Sequence, residues 1–374
     1  MKLVVFGLSV SSSWGNGHAT LWRGLIRALG EAGHRVVFFE WDVPYYARHR
    51  DARELPHCRL ELYTDWSSVV ARAKRELADC DVAMVTSYCP DGVAASELVL
   101  GSRAPRRVFY DLDTPVTLER LERKEPVEYL PPMGLSGFDL VLSYTGGHAL
   151  EQIRQQLGAR RTAPLYGAVD PAVHRRAQPD ARFAAHLSYL GTYAADRQAA
   201  FELLLLAPAR KLADKRFIVA GAQYPSRAGW PDNVTHLEHV PPNDHAAFYC
   251  SSPITLSVTR APMVKLGYCP SGRLFEAAAC GVPVLSDWWE GLDHFFEPGR
   301  EILIARSTDE ALEHLMRSPD ELKQIGEAAR ARTLGEHTAR HRAAELVALL
   351  ESAGARDARG DAAPPEPASG SGAG

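Results

Sequence analysis

Two glycine-bearing turns hold the residues of this chain whose types and spacing suit chemistry. The first, Ser11-Ser-Ser-Trp-Gly15-Asn16-Gly17-His18, follows an apolar run and precedes a helical pattern. Glycines there let the backbone approach a ligand, and a helix start offers free N–H groups to an anion. A dinucleotide fingerprint needs a third glycine where this chain has Thr20. A nicotinamide reading would also use an acid after the second strand, and Glu40 or Asp42 could serve. The plain alternative is an ordinary tight strand-to-helix turn. The second turn is Arg260-Ala-Pro-Met-Val-Lys265-Leu-Gly-Tyr-Cys-Pro-Ser271-Gly272-Arg273-Leu-Phe-Glu276. Ser271 suits an N-cap, so the amides that follow would point out of the helix start toward a diphosphate. Arg260, Lys265 and Arg273 add positive charge suited to a leaving diphosphate. Glu276 lies about a turn and a half into the helix, placed to accept hydrogen bonds from a ribose diol. The alternative is an i,i+3 surface pair between Arg273 and Glu276, with Gly281 as the helix stop.

The elements that must position these turns are α/β throughout. Short β-branched runs alternate with helical patterns, which argues for parallel sheets. Lys2–Val10, Arg35–Trp41, Val82–Thr86, Arg107–Tyr110, Leu140–Tyr144 and Pro164–Tyr166 form one series of expected strands. The pattern restarts with Leu187–Leu190, Arg216–Ala220, Val234–Val240, Ile254–Val258, Val282–Ser286 and Ile302–Ala305. One helix is expected over Asp196–Leu212. The expected organisation is an N-terminal Rossmann-like domain over 1–170, a second over 171–335, a helix over 336–352 and a disordered tail over 353–374. The tail is rich in Ala, Gly, Pro, Ser and charge and has too little apolar surface to order itself.

Bulk properties bound the function. The 374 residues suit two domains, and 46% hydrophobic with 24% charged residues is ordinary globular composition. A net charge of −4 gives no argument for wrapping nucleic acid or lying on an anionic membrane. No apolar stretch is long enough to span a bilayer, and the N-terminal apolar run is short for a signal peptide. The six cysteines form no CxxC pair and no tight Cys/His cluster. A cytoplasmic protein with reduced thiols and no metal site is expected, with the oligomeric state open.

The segment Gly267-Tyr-Cys-Pro-Ser-Gly-Arg-Leu-Phe-Glu-Ala-Ala-Ala-Cys-Gly-Val-Pro-Val-Leu-Ser-Asp287, with the following Trp288-Trp-Glu-Gly-Leu-Asp-His-Phe-Phe-Glu-Pro-Gly299, resembles the CgeB-like glycosyltransferases, named for spore-maturation proteins. The Gly15-Asn16-Gly17 turn, Asp111-Leu-Asp-Thr-Pro115, Leu142-Ser-Tyr-Thr-Gly-Gly147 and Tyr189-Leu-Gly-Thr-Tyr-Ala-Ala-Asp-Arg197 are similar as well. The resemblance covers about residues 1–345 and implies the GT-B fold, two Rossmann-like domains facing across a cleft. It implies a nucleotide sugar in the C-terminal domain, an acceptor in the N-terminal domain, and no metal ion or other cofactor. By that resemblance Glu276 binds the ribose, Arg197 and Lys265 are candidates for the diphosphate, Gly191 is a close-approach position, and His239 and Val240 offer backbone to the base. A UDP- or dTDP-sugar is the family-level expectation.

One departure is visible. Broader GT-B families related to glycogen synthase carry a glutamate eight positions before the ribose glutamate, and this chain has Tyr268 there. A catalytically silent nucleotide-binding module is therefore an alternative, as is, more remotely, an NAD-dependent oxidoreductase. For the transfer itself, His18 at the cleft mouth could take the acceptor proton. Asp111 or Asp113 could do so instead, or could orient His18. His148, after Gly146-Gly147, could contact a ligand or simply start a helix, and Trp288 and Trp289 could stack on a ring or pack.

Overall fold

The computed structural model describes residues 1–227 and 229–360. The first series of apolar runs forms strands β1 (Lys2–Gly7), β2 (Arg35–Trp41), β3 (Cys58–Tyr63), β4 (Val82–Thr86), β5 (Arg107–Asp111), β6 (Leu140–Ser143) and β7 (Thr162–Pro164). They make one parallel sheet in the order β3-β2-β1-β4-β5-β6-β7. The second series forms β8 (Leu187–Leu190), β9 (Phe217–Ala220), β10 (Val234–Leu237), β11 (Thr255–Ser257), β12 (Val284–Ser286) and β13 (Leu303–Ile304). Its order is β10-β9-β8-β11-β12-β13, again parallel.

Each sheet is buried on both faces, which is why its strands read as continuous apolar runs. Along β1, Val4 and Phe6 enter one core while Leu3 and Val5 enter the other. The helix Gly17–Glu31 lays Trp22, Leu25, Ile26 and Leu29 on the second of these cores. The helix Gly272–Ala279 does the same for the C-terminal sheet with Leu274, Phe275, Ala277 and Ala278.

In both sheets the order in which strands are added reverses, between β1 and β4 and between β8 and β11. Ligands of open α/β sheets bind at such switch points, outside the carboxyl ends of the strands. The loops after β1, β5, β8 and β11 converge there.

Three elements differ from the sequence expectation. β3 was not expected, because Arg59 and Glu61 alternate with its apolar residues; it is an edge strand, and Glu61 pairs with Arg59 and Arg72. The stretch expected as one helix over Asp196–Leu212 is a 3-10 turn at Ala195–Arg197, an α-turn at Gln198–Phe201, a π-turn at Glu202–Leu206 and a last α-turn at Ala207–Lys211. Pro208 has no N–H to give the turn before it, and the π-turn absorbs that break. The last helix, Ala339–Gly360, runs past the expected end at 352 and overlaps the expected tail, whose residues 361–374 lie outside the described ones. This helix returns to the N-terminal half and buries Ala339, Ala343, Leu346 and Leu350 against the Trp22 face.

Candidate active site

A cavity of about 370 Å³ lies between the two sheets at their switch points. Its N-terminal wall is the loop after β1, and a buried carboxylate shapes that loop. Glu40, at the end of β2, is wholly buried. It accepts hydrogen bonds from Ser9 Oγ, Val10 N, Ser11 N and Ser11 Oγ at 2.5–3.0 Å. With both oxygens engaged by this loop, Glu40 has no free edge for a nicotinamide ribose, and Asp42 is paired with Arg50. Asn16 completes the turn. Its Oδ1 accepts from His18 N at 3.1 Å and its Nδ2 donates to Ser9 O and Ser12 O. Asn16 thus caps the helix that carries His18, and Gly15, at φ +60°, adopts a left-handed turn that few other residues tolerate.

His18 Nε2 lies 2.7 Å from Asp113 Oδ2. Asp113 stands at the start of the helix Thr114–Glu122 yet makes no capping bond with its side chain; the carboxylate turns to His18 instead. A carboxylate accepts from Nε2–H, which leaves the lone pair on Nδ1. That Nδ1 is buried and unpaired, whereas the Asp113 side chain is 20% exposed and lines the cavity. The open oxygen of the pair is therefore on Asp113. Asp111 lies beneath, almost fully buried, its Oδ1 accepting from Asp113 N at 3.0 Å and its Oδ2 unpaired. Burial, then the neighbouring Asp113 charge, pushes the Asp111 pKa up to about 6. Asp111 does not line the cavity; it supports Asp113 from behind.

The C-terminal wall is cationic. The start of the helix Gly272–Ala279 faces the cavity with Ser271, Gly272, Arg273 and Glu276, and Ser271 uses no side-chain cap there. Arg197 donates Nη1–H to Thr192 O at 3.0 Å, and its Nε is buried without a partner. Arg273 Nη1 is likewise buried and unpaired, and its guanidinium lies 5.6 Å over the Tyr189 ring. Burial, and then Arg273 beside it, lowers the Arg197 pKa to about 10. Two guanidinium groups held close together with unused N–H donors call for an anion, because each unpaired buried donor costs about 1–3 kcal/mol. A diphosphate meets both and the helix start together.

Glu276 sits one turn deeper. Its Oε2 accepts from Tyr249 Oη at 3.1 Å and lies 3.9 Å from His174 Nε2. Burial opposes its charge, but His174, His245, Tyr249 and Arg273 together hold its pKa below the ordinary value. Gly191, His239 and Val240 complete the wall.

Of the expected residues, His18, Asp113, Gly191, Arg197, His239, Val240, Ser271, Gly272, Arg273, Glu276, Gly15, Asn16 and Gly17 line one cavity. Four do not. Lys265 ends the short helix Ala261–Leu266 and pairs with Glu122 at 2.8 Å, both well exposed, on the outside of the cleft. Arg260 is tied to Asp196 by Nε and Nη2, each at 2.9 Å. His148 is exposed at the start of the helix His148–Leu157. Asp111 is the fourth. Trp289 is buried in the core and Trp288 stacks on Arg306, so neither faces the cavity.

Tyr268, at the position of the expected glutamate, is a wedge. Its φ is +47°, and a Cβ on Gly147 or Gly291 would come within 2.6 Å of its ring. Its amide donates to Glu290 O and its carbonyl accepts from Gly146 N, stitching the two halves of the chain together. Asp113 and Glu276 are the two carboxylates lining the cavity. Sequence reasoning missed Trp14, which stacks between His49 at 4.2 Å and His239 at 4.1 Å and so bridges the cleft. It also missed His174, His245 and Tyr249 behind Glu276. No local spacing marks these residues, since only the tertiary fold joins them.

Residues 197–348 match the family model described as glycosyl transferase-like. A search of curated proteins gave no significant match. Among solved structures, the chain is similar to a sucrose-phosphate synthase from Thermosynechococcus elongatus, with a TM-score of 0.67, 14% identity, and coverage of 95% of this chain and 100% of that one. It is similar to Anabaena HepE in complex with UDP-glucose, with a TM-score of 0.62, 13% identity and coverage of 94% and 100%. It is similar too to an alpha-glucosyltransferase in complex with UDP and a 13-mer DNA, with a TM-score of 0.70, 12% identity and coverage of 94% and 99%. The fold is that of the GT-B glycosyltransferases, and the C-terminal half carries a match to a glycosyl transferase-like family model.

Proposed function

We propose that this protein is a glycosyltransferase that moves a sugar from a uridine or thymidine diphosphate sugar to an acceptor hydroxyl, with the protein's own cations supplying the charge that a metal supplies elsewhere. The observation that carries this reading is the pair of unpaired guanidinium nitrogens, on Arg197 and Arg273, beside the start of the helix that bears Glu276. UDP is favoured because HepE and the alpha-glucosyltransferase are described with UDP or UDP-glucose bound. The resemblance of the Gly267–Gly299 segment favours a CgeB-like enzyme.

In this reading Glu276 accepts from the ribose hydroxyls, and Tyr249 orients the carboxylate that does so. The diphosphate lies on the Gly272 amide, Arg197 and Arg273. The bond from the anomeric carbon to the β-phosphate oxygen breaks, and the electron pair leaves with the diphosphate. The acceptor oxygen forms the new bond to that carbon, and its proton passes to Asp113, held in place by the Nε2–H of His18. The acceptor enters on the side of Gly15, Gly17 and His18.

Thermal melting against UDP, dTDP, GDP, ADP, their sugars and NADH, with EDTA present, tests this reading. A rise selective for one nucleotide, followed by slow release of that nucleotide from its sugar, supports it. A rise with NADH alone would refute it. Tight nucleotide binding without hydrolysis or transfer in any acceptor mixture would favour a silent binding module.

A further inference from the structure

Behind the cavity wall, three side chains from distant parts of the chain bring their donor atoms together. His174 Nε2 lies 3.4 Å from His245 Nδ1 and 3.9 Å from Glu276 Oε2, and all three atoms lie within 4.8 Å of one another. We propose that His174, His245 and Glu276 form a site for a divalent transition ion of the zinc class, and that this ion and the nucleotide ribose exclude each other.

The spacing suits such an ion. Ligand bonds of about 2.0–2.1 Å in a tetrahedron set neighbouring ligand atoms about 3.3 Å apart. The two imidazole nitrogens already have that separation, while Glu276 Oε2 lies 3.9 Å from His174 Nε2 and within 4.8 Å of His245 Nδ1, so the carboxylate must move in toward both.

Two of the three ligands have the supporting bonds that a metal site uses, and His174 Nδ1 is buried without a partner. His245 donates Nε2–H to Val240 O at 3.1 Å, which leaves the Nδ1 lone pair pointed at His174 and Glu276. Tyr249 donates to Glu276 Oε2 and holds the carboxylate toward the imidazoles. Two imidazoles and one carboxylate are a donor set that zinc and cobalt select.

His245 and Glu276 line the cavity, which provides an entry path and an open fourth position for water. Arg273, on the same helix turn, repels a cation, so binding is weaker than at a structural zinc site. No step of sugar transfer passes through the ion. The exclusion of ribose rests on the reading of Glu276 given above, while the ion site itself does not.

Titration of the tag-free protein with Co²⁺, read by the visible absorption of four-coordinate cobalt, tests the site directly. One Co²⁺ per chain is expected, displaced by Zn²⁺ and lost at least tenfold in affinity in both His174→Phe and His245→Gln. His174 does not line the cavity, so UDP binding by the His174→Phe variant reports whether the donor pocket has kept its shape. In that variant micromolar Zn²⁺ should no longer weaken UDP binding, although UDP still binds. Absence of cobalt absorption in the wild-type protein, or absorption unchanged in both variants, overturns the site. Cobalt that binds as described but is not released by saturating UDP overturns the exclusion, and with it the placing of ribose on Glu276.

Discussion

Replacing Arg273 by methionine separates a ligand site from a structural ion pair. Methionine keeps much of the aliphatic bulk and removes the charge. In the unliganded protein Arg273 has no carboxylate bonded to it; its Nη1 is unpaired, and Arg197 shares the site. Removing one of two neighbouring cations relieves repulsion and an unpaired donor, and it loses part of the attraction that holds Glu276 charged and a contact with the Tyr189 ring worth about 0.5–2 kcal/mol. These effects nearly cancel, so the unliganded melting temperature should move by no more than about 3 °C. A charge-assisted bond to a diphosphate contributes about 1.5–3 kcal/mol, so Kd for UDP should rise by roughly 10- to 150-fold. At a UDP concentration of 100 times the wild-type Kd, binding stabilises the wild-type protein by about 2.7 kcal/mol, or about 3–4 °C for a chain of 374 residues. A 100-fold weaker variant retains about 0.4 kcal/mol, or about 0.5 °C, under the same conditions. Differential scanning fluorimetry and isothermal titration read both quantities. A variant that melts far lower while binding UDP at wild-type affinity would refute the reasoning, because Arg273 would then belong to the scaffold.

Three further outcomes follow from the same geometry. Asp113→Asn and His18→Ala should each lower nucleotide release from the donor by about 10²- to 10⁴-fold, with Kd for UDP within about threefold of wild type, by steady-state kinetics and titration. Glu40→Ala should cost about 3–5 kcal/mol by urea unfolding, since it strands four donors of the loop after β1 in a buried place. Asp111 contributes a pH dependence of known sign. Its folded pKa, about 6, is raised above the ordinary 3.8, so its contribution to stability is fully present below about pH 4 and is lost as pH rises through 6. Unfolding of Asp111→Asn measured at pH 4 and pH 7 should therefore show the variant gaining on the wild type at pH 7, by on the order of 2–3 kcal/mol relative to their difference at pH 4.

How far the sequence could be read depended on whether a signal was local. The apolar runs of β1, β2, β4 and β8 announce themselves because both faces of each sheet are covered. The edge strand β3 hid behind Arg59 and Glu61, whose charges are met at the sheet edge by the pairing of Glu61 with Arg59 and Arg72. Gly15, Asn16 and His18 were legible because a glycine turn and a helix start lie within a few residues of one another. Arg273 and Glu276 were legible for the same reason, on one face of one helix. Lys265 looked equivalent in charge and proximity, but the short helix Ala261–Leu266 turns it outward to Glu122. Arg260 looked free because Asp196 lies 64 positions away in the chain. Trp14, His174 and His245 gave no signal, since each takes its meaning from a partner on another element.

The most direct test of the donor site is a crystal structure of the protein with UDP bound. The account predicts the diphosphate between the Gly272 amide and the guanidinium groups of Arg197 and Arg273, the ribose hydroxyls on Glu276, and the base against His239 and Val240. A nucleotide lying instead along the Gly15–Gly17 turn, with Arg273 and Glu276 untouched, would contradict it.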